Sequence, residues 1–353
     1  AYFAQVGVNG FGKVCVMQLN SMAKANELIG TLKEDAIRDY LQFKYIDAAA
    51  PYLSDNFVQA NFDMYSKAMS GTKVQQPRWK RALNVPNSLL GEAVGQLYVE
   101  KYFPADSKKK MLTLVNNLKC ALGEHIAALS WMSAETKVNA LVKLNSFKVK
   151  IGYPDKWRDY SDIDIDFAKP YWTNVMAARM SSAKFEYSQL NKPVDKERWW
   201  MTPQTVNAYY DPSANEICFP AGILQAPYFD PTADDACNYG AIGVVIGHEM
   251  THGFDDQGRN FDQNGNMTDW WTETDAQNFK ALSDKLVAQY SEVIVADDVH
   301  ANGEFTLGEN IADHGGLRVA YTALKKTSQG KSANLLDGFI PDQRFYLSYA
   351  NVW

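Results

Sequence analysis

Residues 248–252 read His-Glu-Met-Thr-His, and this pattern constrains the fold more than any other part of the sequence. Residues four apart on an α-helix share a face, so a helix here lets both imidazoles bind one metal ion. Glu249 could then take a proton from a water molecule on that metal. The alternative is a core helix whose histidines bond to backbone carbonyls, but burying His, Glu and His together without a purpose is costly.

The residues before this pattern favour a buried helix. Residues 240–246 are almost wholly apolar, and apolar side chains recur at helical spacing from Tyr239 to Met250. Asn238 is the predicted N-cap, because its short polar side chain can accept a hydrogen bond from the first helical turn.

The third metal ligand separates the classes of metallopeptidase that share this pattern. A metzincin continues with a Gly and a third His, but Asp255 and Gly258 stand at those positions, so that class is excluded. Glu273 and Glu309 remain as candidates. Glu273 lies in a context typical of a helix start with a solvated acid. Glu309 is the stronger candidate, because Asp313 follows four residues later and could orient a ligating histidine. Taken alone, that pair would be an ordinary acidic first turn.

Three sequence blocks, in this order, resemble the neprilysin family of zinc metallopeptidases. The blocks are Asn207–Tyr210 with Phe219–Gln225, then Val245–Phe261, then Gly308–Asp313. The resemblance covers roughly residues 31–353 and is closest to the bacterial secreted or envelope members. It therefore implies a location that is secreted, periplasmic or in the cell envelope.

The resemblance also implies a role for individual residues. One Zn²⁺ ion would be bound by His248, His252 and Glu309. Glu249 would be the general base, and Asp313 would orient His248. The substrate main chain would be held by Asn207 and by the backbone of Ala208.

Family members accept the residue after the scissile bond in an apolar pocket. The matching positions here are Ile223, Tyr228, Val244, Val245, Val352 and Trp353. We therefore expect a preference for a bulky apolar side chain. Core packing is the alternative for Ile223 and for the two valines at 244 and 245.

Residues 205–219 are predicted to form a β-hairpin. Residues 205–210 alternate and are rich in aromatics, residues 211–215 form a turn cluster, and residues 216–219 form a second strand that Pro220 ends. An exposed hairpin edge can pair with an extended peptide. A purely structural hairpin is the alternative.

The expected fold is mainly α-helical with a small β-hairpin or sheet, in two lobes. Residues 1–119 would form part of a helical domain that covers the active site. Residues 120–353 would form a thermolysin-like zinc catalytic domain. Family members continue past Trp353 with a His that stabilises the oxyanion and an Arg that binds substrate, and neither His300 nor His314 replaces them by motif. We therefore expect residues 1–353 to bind zinc but to hydrolyse peptides poorly, unless a further segment or a second chain supplies that part.

The first residues need a separate explanation. Residues 6–14 resemble a dinucleotide-binding turn, but Cys15 stands where a helix-packing Gly would come and no strand–helix–strand pattern follows. We expect no cofactor site there. Residues 1–20 also fit the peptidase family poorly, so their origin is left open.

Composition excludes other classes of function. The chain has 353 residues and a net charge of −6, with no basic block, so we expect no nucleic-acid partner. Cys218 and Cys237 could form a disulfide in an oxidising compartment, although buried free thiols are favoured. The predicted function is that of a zinc-dependent endopeptidase acting on peptides or small unfolded polypeptides. The alternative is a peptide-binding or adhesion protein with an incomplete or inactive metallopeptidase site.

Overall fold

The structure is a computed structural model that describes residues 15–353, so residues 6–14 with their predicted turn lie outside the described part. The described residues form two compact units: residues 15–94 with 158–195, and residues 95–157 with 196–353. The boundary predicted after residue 119 lies inside one helix, Ala105–Ala128, whose buried face belongs to the core of the second unit. The chain therefore divides elsewhere, and a covering role for the first unit stays a prediction.

The described residues are mainly helical, as predicted. The α-helices are α1 (Leu19–Thr31), α2 (Glu34–Ala49), α3 (Asp55–Asn61), α4 (Arg78–Leu89), α5 (Gly91–Tyr102), α6 (Ala105–Ala128), α7 (Ala134–Asn145), α8 (Tyr171–Ser188), α9 (Asp235–Asn238), α10 (Val244–His252), α11 (Glu273–Ser291), α12 (Leu307–Leu324) and α13 (Pro341–Val352). The strands are β1 (Lys148–Gly152), β2 (Tyr209–Asp211), β3 (Glu216–Pro220), β4 (Ile294–Ala296) and β5 (Val299–His300). No helix within residues 15–353 has the length and apolar character needed to cross a membrane.

The first unit contains α1 to α4 and α8. Short 3₁₀ and π-helical segments, Ala50–Tyr52 and Phe62–Ala68, precede and follow α3. Tyr52 and Arg179 connect two parts of this unit, because the guanidinium of Arg179 donates to the Tyr52 hydroxyl oxygen at 3.1 Å.

A three-stranded sheet in the second unit has the order β1–β3–β2. β1 runs parallel to β3, and β2 pairs antiparallel with β3, with Tyr210 opposite Ile217. The predicted hairpin is confirmed, although its first strand begins at Tyr209 rather than at residue 205. The Asp211 carboxylate accepts from the Ser213 amide at 2.8 Å and so fixes the turn. β2 lies at the edge of this sheet.

The helix that carries His248 begins earlier than the sequence predicts. Asp234, not Asn238, is the N-cap, and its carboxylate accepts from the Cys237 amide at 2.9 Å. A π-helical turn, Tyr239–Gly243, then joins α9 to α10. The prediction for Asn238 is wrong because its side-chain amide is bonded to the backbone of Asp230 instead.

α10 and α12 pack with their backbones in contact. A Cβ atom at position 247 would lie 2.8 Å from the Gly316 carbonyl oxygen. A Cβ atom at position 316 would lie 2.6 Å from the His248 amide nitrogen and 2.6 Å from the Val244 carbonyl oxygen. Only glycine at both positions allows this approach, so the two helices that carry the metal-binding pattern and Glu309 are held at a fixed separation.

Gly316→Ala is expected to lower the free energy of unfolding by about 1–3 kcal/mol, because the added methyl group forces the two helix backbones apart. Gly243→Ala is the matched control, since its Cβ would lie 3.4 Å from the nearest atom, the Asn238 carbonyl oxygen. That control should be neutral or slightly stabilising, because Ala favours helix over Gly. Urea unfolding of both variants checks the difference, and equal stability of the two would contradict it.

Candidate metal centre

Two helices bring together three side chains that could hold a metal ion. His248 and His252 lie on α10, and Glu309 lies in the first turn of α12. The Nε2 atoms of the two histidines are 2.9 Å apart. The Glu309 carboxylate lies 3.3 Å from Nε2 of His248 and 3.8 Å from Nε2 of His252. One ligand atom from each residue lies within 4.8 Å of the other two, which is close enough for all three to hold one ion.

Each imidazole is oriented by a carboxylate that is hydrogen-bonded to its Nδ1 atom. Nδ1 of His248 donates to Asp313 at 2.8 Å, and Nδ1 of His252 donates to Asp255 at 2.7 Å. An ionised carboxylate only accepts, so both Nδ1 atoms carry the proton. The Asp313 contact is the one that the sequence predicts. The contact of Asp255 was missed, although an acid three residues after the second histidine of the pattern was a usable signal.

The hydrogen-bond partners of the two rings fit a cation site. When the proton of each ring is on Nδ1, a neutral imidazole directs the lone pair of its Nε2 atom into the same small space. The anionic Glu309 faces the same point, and these groups repel one another unless a positive charge lies between them. Two imidazole nitrogens and one carboxylate oxygen match the ligand set of a catalytic zinc site, which leaves a fourth position open.

The acids around His252 affect its pKa. Burial would lower the pKa of His252, but the hydrogen bond to Asp255 and the charges of Glu249 and Glu309 outweigh burial. The pKa is therefore raised on balance. The surroundings of this ring favour positive charge, which is also what a bound cation supplies.

Glu249 lies beside the two histidines and is only 7% exposed. Burial raises the pKa of its carboxyl, while His248, His252 and a backbone hydrogen bond from Tyr210 act in the opposite direction. The Tyr210 contact joins the carboxylate to β2. Glu249 is thus a buried carboxyl close to the candidate metal position and bonded to the edge strand, which fits its predicted role as the base.

A cleft of about 490 Å³ opens over the metal-binding side chains. Its lining residues are Asn207, Ala208, Tyr209, Tyr210, Pro212, His248, Glu249, His252, Asp255, Gln257, Gly258 and Glu309. The cleft therefore brings the three candidate ligands, the predicted base and the two predicted main-chain-binding positions into one space. All of these residues belong to the second unit.

The residues predicted to form an apolar pocket do not line this cleft. Ile223, Val244 and Val245 are buried in the hydrophobic core, and Tyr228 packs against that core. Val352 is half-buried, and Trp353 is 68% exposed. Ile223, Val244 and Val245 therefore serve core packing, which was the alternative for these three residues. A pocket for the substrate side chain stays a prediction.

The other residues that the sequence analysis considered for the site or for a disulfide do not belong to the group of His248, His252 and Glu309. Glu273 is exposed at the first residue of α11, as its sequence context predicts, and is not in the metal-binding group. His314 is exposed and contacts the Tyr290 hydroxyl through Nε2 at 3.0 Å. His300 is exposed in β5. Cys218 and Cys237 are free thiols, and burial raises the pKa of each to about 12.

A His-Glu-x-x-His helix beside a second helix with a glutamate ligand defines the thermolysin-like class of metallopeptidase site. Two family models, both described as peptidase family M13, match residues 207–353 and 1–154. The chain belongs to peptidase family M13. The second match starts at residue 1, so the prediction that residues 1–20 fit the family poorly is wrong.

Curated relatives and solved structures agree with this family. The chain is 38% identical to the endothelin-converting enzyme homolog of Locusta migratoria and 37% identical to membrane metallo-endopeptidase-like 1 of Homo sapiens. Each alignment covers 97% of this chain, but only 49% and 45% of the relative. The chain thus spans about half the length of these relatives.

Two solved structures resemble the fold. Zinc metalloprotease Zmp1 of Mycobacterium tuberculosis, in complex with an inhibitor, is 43% identical with a TM-score of 0.85. That match covers 93% of this chain and 50% of the other. PepO of Lactobacillus rhamnosis is 33% identical with a TM-score of 0.79, over 87% of this chain and 47% of that one.

Glu309→Ala is expected to weaken zinc binding strongly, because it removes the only carboxylate among the three ligand atoms grouped in the described residues. Glu273→Ala is the control, since this glutamate is exposed on another helix. Metal content after dialysis, followed by titration with a chelator, measures both variants. Loss of zinc from the Glu273 variant, with retention in the Glu309 variant, would show that the ligand assignment is wrong.

Proposed function

We propose that this chain carries the active site of a zinc-dependent endopeptidase. The observation that supports it most directly is the convergence of His248, His252 and Glu309 beside the buried Glu249. Membership of family M13 and the resemblance to Zmp1, a zinc metalloprotease, support the same conclusion. The substrates proposed are peptides or small unfolded polypeptides.

A bound zinc ion would supply Lewis acidity, which lowers the pKa of a water molecule and polarises the scissile carbonyl. The carboxylate of Glu249 would take a proton from a water molecule as that water attacks the carbonyl carbon of the scissile bond. The same carboxyl then passes a proton to the leaving amine.

The edge strand β2 gives the substrate a place to bind. Its outer edge is unpaired within the three-stranded sheet, and Asn207 and Ala208 border the cleft just before it. An extended peptide can add to such an edge through main-chain hydrogen bonds. We propose that the Asn207 side chain and the Ala208 backbone hold the substrate main chain in this way.

Preference for a bulky apolar residue after the scissile bond stays a prediction from the family resemblance. A secreted, periplasmic or cell-envelope location is proposed on the same ground. The second candidate function, peptide binding without hydrolysis, is an outcome of the experiment below rather than a separate proposal.

Glu249→Gln is expected to keep zinc and to lose turnover by at least ~10²-fold, because the amide has a similar size but cannot act as a base. The assay is hydrolysis of an internally quenched apolar peptide by the full-length protein, with and without a chelator. Glu273→Gln, at an exposed glutamate on α11, is the matched control and should keep full activity.

Near-normal turnover by the Glu249 variant would remove this residue from the mechanism. Peptide binding by the wild type, without chelator-sensitive hydrolysis, would instead favour the peptide-binding alternative.

A further inference from the structure

Lys143 on α7 has an ammonium group buried under the loop that follows α10. The residue is only 1% exposed. Its Nζ donates to the backbone carbonyls of Gly253, Gly258 and Phe261, each at 2.7 Å. All three N–H bonds of one buried ammonium are therefore used on a single short segment, residues 253–261, which we call the 253–261 loop.

Burial disfavours the charge of this ammonium group, and its neighbours offset that effect only in part. The pKa of Lys143 is lowered to about 8 by burial, although the charges of Asp255 and Asp262 act to raise it. Gly253 follows the last residue of α10, where the helix dipole presents its negative end. Three aromatic rings also face this ammonium group. Its Nζ lies 5.8 Å from the ring centroid of Tyr210, 5.6 Å from that of Phe254 and 5.9 Å from that of Trp270.

The 253–261 loop carries the carboxylate that orients one metal ligand. Asp255 is 4% exposed, and its Oδ1 accepts from the amides of Gln257 and Gly258 at 2.9 and 2.6 Å. Its Oδ2 accepts from Nδ1 of His252 at 2.7 Å. The carbonyls bound by Lys143 lie on both sides of Asp255 in the chain, so the ammonium holds the loop on either side of this carboxylate.

We propose that Lys143 is a positioning residue of the metal centre: by fixing the 253–261 loop, it holds Asp255 and thereby the tautomer and direction of His252. The proposal rests on the proposed zinc site. It assigns a metal-directed role to a side chain that touches neither the metal position nor the cleft.

A purely structural role for Lys143 makes a different prediction. A lysine that only stabilises the core would change the fraction of folded protein, but each folded molecule would bind zinc as before. A positioning lysine instead changes zinc affinity and ligand geometry in the folded protein, because partners of a ligating histidine typically contribute 10–100-fold to metal affinity.

The test compares four forms of the full-length protein: wild type, Lys143→Met, Asp255→Asn and the double variant. Zinc affinity is measured by competition with a chelator, and the Co²⁺-substituted proteins are compared by visible absorption. We expect each single substitution to weaken zinc binding by about 10-fold or more and to shift the Co²⁺ bands. The loss of zinc affinity in the double variant should be much smaller than the product of the two single losses, because both residues act through the same contact to His252.

Lys119→Met is the matched control. Lys119 also donates to a backbone carbonyl, that of Asn145 at 2.8 Å, but it is half-exposed on α6. The zinc affinity and Co²⁺ spectrum of the Lys119→Met variant should match those of the wild type. Lys143→Gln, whose amide can still donate two hydrogen bonds, is used if the Met variant does not fold, and circular dichroism gives the folded fraction.

Unchanged zinc affinity and an unchanged Co²⁺ spectrum in the folded Lys143 variants would overturn the positioning role, even if stability falls. The positioning role would also be overturned if the loss of zinc affinity in the double variant equalled the product of the losses in the two single variants. Failure of the wild type to bind zinc would overturn the proposed function itself, and the role of Lys143 with it.

Discussion

The backbones of α10 and α12 touch at Gly247 and Gly316, and the metal centre depends on this contact. Glu309 lies in the first turn of α12, so its carboxylate can reach the two histidines only when the helices are this close. The same approach brings Asp313, one turn further along α12, to the Nδ1 atom of His248. One steric constraint thus places a ligand and an orienting acid at the same time.

Electrostatics then sets what the site can hold. Two imidazoles with protonated Nδ1 atoms direct their lone pairs inwards, and several acids surround them; these are Glu249, Asp255, Glu309 and Asp313. Such a concentration of negative charge and lone pairs is unfavourable in a partly buried position without a cation. Glu249 lies buried beside this position, and burial raises the pKa of its carboxyl.

The two histidines are supported from different parts of the fold. His248 is oriented by Asp313 on a neighbouring helix, whereas His252 is oriented by Asp255 in the loop directly after its own helix. A loop is a less rigid support than a helix. Bonds from the buried Lys143 to both sides of Asp255 offset that difference, which is the physical basis for its proposed role.

The sequence by itself determined what depends on local spacing: the helix that pairs His248 with His252, the hairpin ending at Pro220, and the helical class of the chain. It also predicted Glu309 as the third ligand, through a family resemblance rather than through spacing alone, and the structure places Glu309 beside the two histidines. Only the tertiary structure decided what depends on contacts between distant residues. Asn238 bonds to Asp230 and does not cap the helix, and Ile223 packs in the core rather than lining the cleft. Lys143 bonds to a loop more than a hundred residues away in sequence because α7 packs beneath that loop. No local sequence pattern predicts a contact between residues so far apart in the chain.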